Sequence, residues 1–513
     1  MRRLPAYADT IVVGGGPAGC AVAGTLAARS DESVLLLEAG PDYGPHVGGG
    51  WPADLLDARD LAESHPWGYD SGRSYPTRTI PFQRARVMGG CSSHNGCAAI
   101  WGSRADYDGW AEFGGDGWST DELLPFFRSA SARMRVRIPA PDEITPYHAA
   151  MLAAAPSAGI PLVEDLNDLD QPVGIAASPS NIAEGVRWNA AFAYVDPVRG
   201  RPNFSVVGDA PVDRLVIEAG RVVGVVVVTD EGPATIRAAR VVVAAGTYGS
   251  PAILLRSGIG TPDALRALGI APTMALPGVG ENLHDHPAVY LQYSGTKELI
   301  ARMTSFGRDR WLPEEQTIAK LRSSSCAEAF DIHLYPEGSP YADRGSGWSF
   351  IIPVACMTPR SRGRLTLSSP DPTAPPCINH GYLSDPDHAD RRVLVDAIAI
   401  GRELAGESRL AALLGRETSP GTAVASPTTI AECIERNVVH YYHPVGTCKM
   451  GPAGDPGAVV DARGRIHGVE GGYVADCSIM PVIPRATPNL PGLVIGERMG
   501  RWLTDDAPGP GDG

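Results

Sequence analysis

Glycines 14, 16 and 19, in Gly14-Gly15-Gly16-Pro17-Ala18-Gly19, have the G-x-G-x-x-G spacing of a dinucleotide loop. The first allows a tight turn, the second lets backbone approach a pyrophosphate, and the third lets a helix pack on a strand. Glu38, followed by Ala39, stands close to the roughly 20-residue spacing of a carboxylate that accepts hydrogen bonds from an adenosine ribose. This motif leaves NAD and FAD both open. A second small-residue stretch, Ala85-Arg86-Val87-Met88-Gly89-Gly90-Cys91-Ser92-Ser93-His94-Asn95-Gly96, is another place where backbone can come close to a flat ligand or a diphosphate. A third begins at Ala245-Gly246. His443, in His440-Tyr441-Tyr442-His443-Pro444, carries an imidazole whose ordinary pKa suits removal of a hydroxyl proton. His284-Asp285-His286 has the outline of a metal site, yet His-x-His beside one Asp is common in loops, and no metal is expected there.

These groups need a scaffold, and the pattern around them supplies one. Asp9 to Val13 is an apolar run of strand type, the glycine loop follows, an Ala-rich stretch to Arg29 reads as a helix, and Ser33 to Leu37 reads as a second strand ending at Glu38. The loop thus sits at a helix N-terminus, whose dipole favours an anion. Arg240 to Ala245 is a further apolar strand that runs into the third glycine loop. Residues from about 320 to 370 are rich in strand and turn signals.

The chain has 513 residues, 43% hydrophobic and 20% charged, the balance of a globular protein with a sizeable core. Single cores stop growing near roughly 250–300 residues, so two domains are expected. A net charge of −14 argues against a nucleic-acid partner, which needs a phosphate-neutralising surface. The densest apolar run, Val222 to Val228, is far shorter than the roughly 18 residues of a membrane helix and is broken by Gly224, so no membrane association is expected. Met1-Arg2-Arg3 is followed by no apolar segment of signal type, which makes the cytoplasm the expected location. Nine scattered cysteines with no C-x-x-C pair are expected to be reduced thiols.

The second and third glycine-rich stretches, Ala85 to Gly96 and Arg240 to Gly260, with Tyr442-His443-Pro444-Val445-Gly446-Thr447, Val474-Ala475-Asp476, Ile479-Met480-Pro481 and Pro488-Asn489-Leu490-Pro491, resemble the signature segments of the glucose-methanol-choline (GMC) oxidoreductases, nearest in motif to the choline oxidase branch. The resemblance spans residues 9 to about 500. It implies an α/β fold: a doubly wound, Rossmann-like FAD-binding domain, with a second, substrate domain containing a mainly antiparallel sheet. The expected FAD domain is discontinuous (8–150, 200–283 and 437–505), the substrate domain takes 151–199 and 284–436, and 506–513 form a flexible tail.

The resemblance also implies roles. FAD is the expected cofactor, held by Gly14, Gly16, Pro17, Ala18, Gly19, Glu38, Ala39, Arg86, Gly89, Gly90, Ser93, His94, Asn95, Gly96, Val212, Ala245, Gly246, Asp476, Pro488 and Asn489. His94 occupies the place of a histidine that the choline oxidase branch joins covalently to the flavin 8α carbon, so a covalent FAD is expected. His443 is the expected base. Thr487 stands where the family has a second His or Asn across the substrate oxygen, and a hydroxyl there can hydrogen-bond but not act as a strong base; a slip of two residues would make Asn489 that partner.

The expected reaction is oxidation of a primary alcohol to the aldehyde, with oxygen or another electron acceptor as second substrate. A flavin-containing hydroxynitrile lyase of the same fold is the competing class, and an oligomer is compatible with the family. Gly96 replaces a serine of the choline branch, and Met357-Thr358-Pro359 replaces a further histidine, so a substrate larger than choline is expected. Acids at 314, 315, 328, 331 and 337, with aromatics at 311, 335, 348, 350 and 442, favour an amino alcohol or aminosugar; an aryl or neutral alcohol is the alternative.

Overall fold

In the computed structural model, described for residues 4–72, 74, 78–171, 173–340 and 347–505, two sheets dominate the chain. The tail expected at 506–513 lies outside the described residues. The first sheet runs Phe204–Val207, Val34–Leu37, Tyr7–Val13, Gly232–Val243, Arg221–Thr229, Val212–Glu218. Its first four strands are parallel, and the last two turn back antiparallel. Parallel central strands are covered on both faces, which is why Ile11, Val12, Leu36 and Val242 are fully buried and read as unbroken apolar runs.

Strand Gly232–Val243 is long enough to serve two partners along the same edge. Its first half pairs with Arg221–Thr229, and its end pairs in parallel with Gly472–Val474. Gly224, which interrupts the apolar run, lies within strand Arg221–Thr229. It sits at a bulge, where a Cβ would lie 2.2 Å from the carbonyl oxygen of Ile236, so glycine is what lets the neighbouring strands approach.

The second sheet is antiparallel, in the order Leu414–Ser419, Ala288–Gly295, Ser349–Cys356, Ile332–Leu334, Thr317–Leu321, Gly174–Ala177, with Glu337–Ser339 added beside Ser349–Cys356. Its faces differ. Leu291, Ile332, Leu334, Ile352 and Val354 belong to the main core, where Gly401 of helix Ala389–Gly406 packs against Leu291 and Val354. On the opposite face Ala176, Ile318, Ala288 and Ala355, with Tyr335 just beyond a strand end, share a buried cluster with Ala98, Ile100, Met357 and Tyr441. That cluster joins the sheet to the second glycine loop and to the segment of His443. Among the described residues no helix is long and apolar enough to cross a membrane.

Candidate active site

The cofactor end is built from backbone. Gly14, at φ +104°, turns the chain out of the first strand. Gly19 comes so close to it that a Cβ would lie 1.9 Å from the Gly14 carbonyl oxygen, whereas a Cβ on Gly16 would meet nothing within 4 Å. The third glycine thus closes helix Pro17–Arg29 onto the strand, and the second leaves an open face at the helix N-terminus; Pro17 and Ala18 form its first turn. The second loop is stacked on the first. Gly89 N donates to Gly15 O at 2.7 Å, and a Cβ on Gly90, at φ +53°, would sit 2.6 Å from Gly16 Cα.

Glu38 is 6% exposed rather than a solvated strand end, and its two oxygens accept hydrogen bonds from Gly15 N and Gly40 N, both at 2.8 Å. Burial pushes its carboxyl up to about 7 against the opposing pull of those amides. Ala39 O accepts from Arg86 Nε at 3.1 Å, and Ser93 Oγ donates to Met88 O at 3.0 Å, so both expected contacts brace the loops. Val212 opens the last strand of the first sheet and is buried. Asp476 seats the third loop: it accepts from Gly246 N at 2.8 Å, Ser250 Oγ at 2.5 Å and Ser478 N at 2.7 Å, while Ser250 Oγ receives Ala245 N at 3.0 Å.

Four buried polar atoms around these loops have no hydrogen-bond partner: His94 Nε2, Asn95 Oδ1, and both Oδ1 and Nδ2 of Asn489. Each unsatisfied group costs about 1–3 kcal/mol. A flat ring with donors and acceptors along its edge, as an isoalloxazine has, would satisfy them, so these residues fit a flavin. Burial lowers the His94 imidazole to about 4, which leaves the ring neutral. Asn489 opens helix Asn489–Asp505, directly after Pro488.

The substrate end is built from side chains. His443 is half-buried, its backbone N–H donates to Asp285 Oδ1 at 2.9 Å, and its Nδ1 lies 2.9 Å from Nδ1 of His286. Burial, with His286, His333, Arg84 and His440 nearby, holds His443 well below the usual histidine range, so the free ring is neutral. The stretch that looked like a metal site is this scaffold. His284 Nε2 accepts from Ile483 N at 2.9 Å, which fixes the loop leading to 487, while Asp285 and His286 hold His443.

Thr487 is corrected in one respect. Its hydroxyl was expected to bond the substrate oxygen, but its single hydrogen goes to Ala98 O at 2.9 Å, and its oxygen receives Ile100 N at 3.0 Å. It therefore ties the loop to the end of the flavin segment. The amide without partners is that of Asn489.

Gly96 turned out to matter for what it admits. A Cβ there would lie 2.2 Å from Glu315 Oε2, so the missing side chain makes room for a carboxyl. Glu315 is reached by the Tyr335 hydroxyl, and its backbone forms a β-bridge with that of Glu337; burial pushes Glu315 up to about 7, and burial with Glu315 and Glu314 nearby raises Glu337 well above the carboxylate range. Tyr441, 7% exposed, stands between this group and His443, its ring centroid 6.2 Å from that of Tyr335 and 5.0 Å from that of His443, with a hydroxyl that has no partner. Other candidates lie elsewhere. Phe350, stacked on Trp348, belongs to the main core, Glu328 pairs with Arg485, and Asp331 accepts from Ser323. Sequence reasoning missed His286, Tyr441, and the buried Lys320 and His333 of the facing strands, whose side-chain nitrogens also lack partners. Only the short spacing within His284-Asp285-His286 pointed to any of them.

Comparison with known proteins agrees with this geometry. Two family models described as GMC oxidoreductase match residues 8–288 and 359–496, and the chain belongs to that family. It is an FAD-dependent alcohol oxidoreductase. Among its relatives, the oxygen-dependent choline dehydrogenase of Brucella anthropi is 34% identical over 533 residues, covering 96% of this chain and 94% of that protein. The enzyme of the same description from Rhizobium etli is 33% identical over 527 residues, again covering 96% and 94%. Among solved structures, pyridoxine 4-oxidase from Mesorbium loti superposes with a TM-score of 0.86 at 29% identity, covering 98% of this chain and all of that one.

Proposed function

We propose that this enzyme oxidises a primary alcohol bearing an amine to the aldehyde, with His443 taking the hydroxyl proton and the Glu315 group receiving the cation. The observation that carries the reading is the group of Glu315, Tyr335 and Glu337 around Tyr441, whose ring lies 5.0 Å from that of His443, with Gly96 leaving room for Glu315. A neutral imidazole is the form able to accept a proton, and burial keeps His443 in that form. Asn489, whose amide is free on both sides, is the group suited to the substrate oxygen or the flavin edge; Thr487 positions that loop. Relatives named for choline and for pyridoxine, both nitrogen-bearing alcohols, support the amine.

Bound FAD supplies the hydride acceptor for the alcohol carbon, and oxygen or another acceptor completes turnover. Gly14, Gly16, Gly19, Glu38, Gly89 and Gly90 would hold its dinucleotide part, and His94 would be joined to its 8α carbon through Nε2. A neutral, buried ring with an unused nitrogen supports that linkage. Yellow colour staying with the protein after acid precipitation is the expected result; colour released to the supernatant would sink the covalent form.

The test of substrate class is anaerobic mixing with choline, aminosugars, neutral sugars and aryl alcohols while the visible flavin band is followed. Bleaching by amine-bearing alcohols is expected. Bleaching by neutral or aryl alcohols alone would overturn the amine assignment.

A further inference from the structure

The contact between His443 and His286 has a consequence for which nitrogen of His443 can work. Their Nδ1 atoms are 2.9 Å apart, with ring planes at 85°, and two nitrogens at that distance share one hydrogen. Each neutral ring carries a single N–H. If His286 donates, His443 bears its hydrogen on Nε2 and has no lone pair to offer there. If His443 donates, its Nε2 lone pair is free.

The reading of His443 as base decides between the two. With Nδ1 of His443 turned to His286, only its Nε2 can take a hydroxyl proton, and it can do so only when the shared hydrogen belongs to His443 Nδ1. The Nδ1 of His286, a fully buried ring, is then the acceptor. Burial and the nearby Arg485 guanidinium keep the ring from taking a second proton. Asp285 fixes the other end of the arrangement by receiving the His443 backbone N–H, so two consecutive residues set both the position and the hydrogen of one imidazole.

We propose that His286 is a positioning residue that accepts the Nδ1–H of His443, thereby leaving the His443 Nε2 lone pair for the alcohol proton. The inference rests on the reading of His443 as base. When the proton arrives, His443 carries hydrogens on both nitrogens, and the bond to His286 becomes charge-assisted. The groups that bear on His443 are His286, His333, His440, Arg84 and Asp285, with the Tyr441 ring 5.0 Å away.

The experiment is anaerobic flavin reduction by an alcohol that bleaches the holoenzyme, with flavin content measured for every variant. His286→Leu is expected to lower the limiting rate about 100-fold or more, as wrong-tautomer variants do elsewhere, with little change in substrate affinity. His286→Asn, whose Oδ1 can accept from Nδ1–H, is expected to recover at least about ten-fold of that loss. The double variant His286→Leu with His443→Ala is expected to be no slower than His443→Ala. An unchanged rate in His286→Leu, equal impairment of the Asn and Leu variants, or additive losses in the double variant would overturn the proposal. Should His286→Leu lose flavin, His286→Ala with added imidazole replaces it, and failure of imidazole to raise the rate counts against the role. If His443→Ala itself reduces flavin normally, the base assignment falls first.

Discussion

Glu38, buried, and Glu315, partly buried, are both carboxyls pushed up to about 7 by desolvation, and they are held in opposite ways. Glu38 receives two backbone amides, Gly15 and Gly40, whose positions follow from the path of the chain. Glu315 receives a side-chain hydroxyl, Tyr335, and occupies room left by Gly96. The cofactor end is thus assembled from backbone and close approach, and the substrate end from side chains crossing between sheets. Substitutions should separate the two: added Cβ atoms damage flavin binding, and side-chain truncations damage turnover with flavin in place.

The largest effect is expected at the cofactor end. Gly90→Val forces a β-branched residue into a left-handed conformation and against Gly16, and the purified protein is expected to carry essentially no flavin, read as the ratio of visible to ultraviolet absorbance. Full flavin in that variant would break the comparison. His443→Ala is expected to keep its flavin and lose about 10³-fold in the rate of anaerobic reduction. Glu315→Gln is expected to raise KM for an amine-bearing alcohol about 10–100-fold, the worth of one charge-assisted hydrogen bond, and to leave a neutral alcohol unaffected. A raised folded pKa means Glu315 holds its proton below about 7, so wild-type KM for the amine should fall as pH rises through about 7 and stay flat in the variant.

The smallest effect concerns stability at the sheet that roofs the substrate end. Lys320 is 1% exposed with no hydrogen-bond partner, and burial lowers its ammonium to about 8. Between about 8 and the ordinary 10.5 the unfolded chain binds a proton that the folded one has released, so stability rises with pH across that window. Lys320→Met should add about 1–3 kcal/mol at pH 7 in denaturant unfolding and abolish the rise. Loss of stability instead would mean that the ammonium is satisfied in the native protein.

Legibility in the sequence follows the same division. The strand, glycine loop, helix and second strand ending at Glu38 are local, and local patterns survive in one dimension, as do the spacing of 14, 16 and 19 and the seat of His94. The antiparallel sheet followed from family resemblance rather than from pattern. What could not be read was contact between distant segments: His286 with His443, Gly96 with Glu315, and Thr487 with the backbone of 98–100. Thr487 is instructive, because a hydroxyl looks free in a sequence until the backbone that uses it is placed beside it. His284-Asp285-His286 was visible as a motif, but its partners, Ile483 and His443, lay far along the chain.

The strand shared between Tyr7–Val13, Arg221–Thr229 and Gly472–Val474 also sets an order of events in biosynthesis. The parallel sheet under the glycine loop is completed by a segment near the C-terminus, and Asp476 just after it pins the third loop. A nascent chain still lacking that segment has the first loop but not its full support, and closing so long a stretch of chain carries an entropic cost met only when both ends are present. The full support of the glycine loops is therefore in place only once residues 472–476 have joined the sheet.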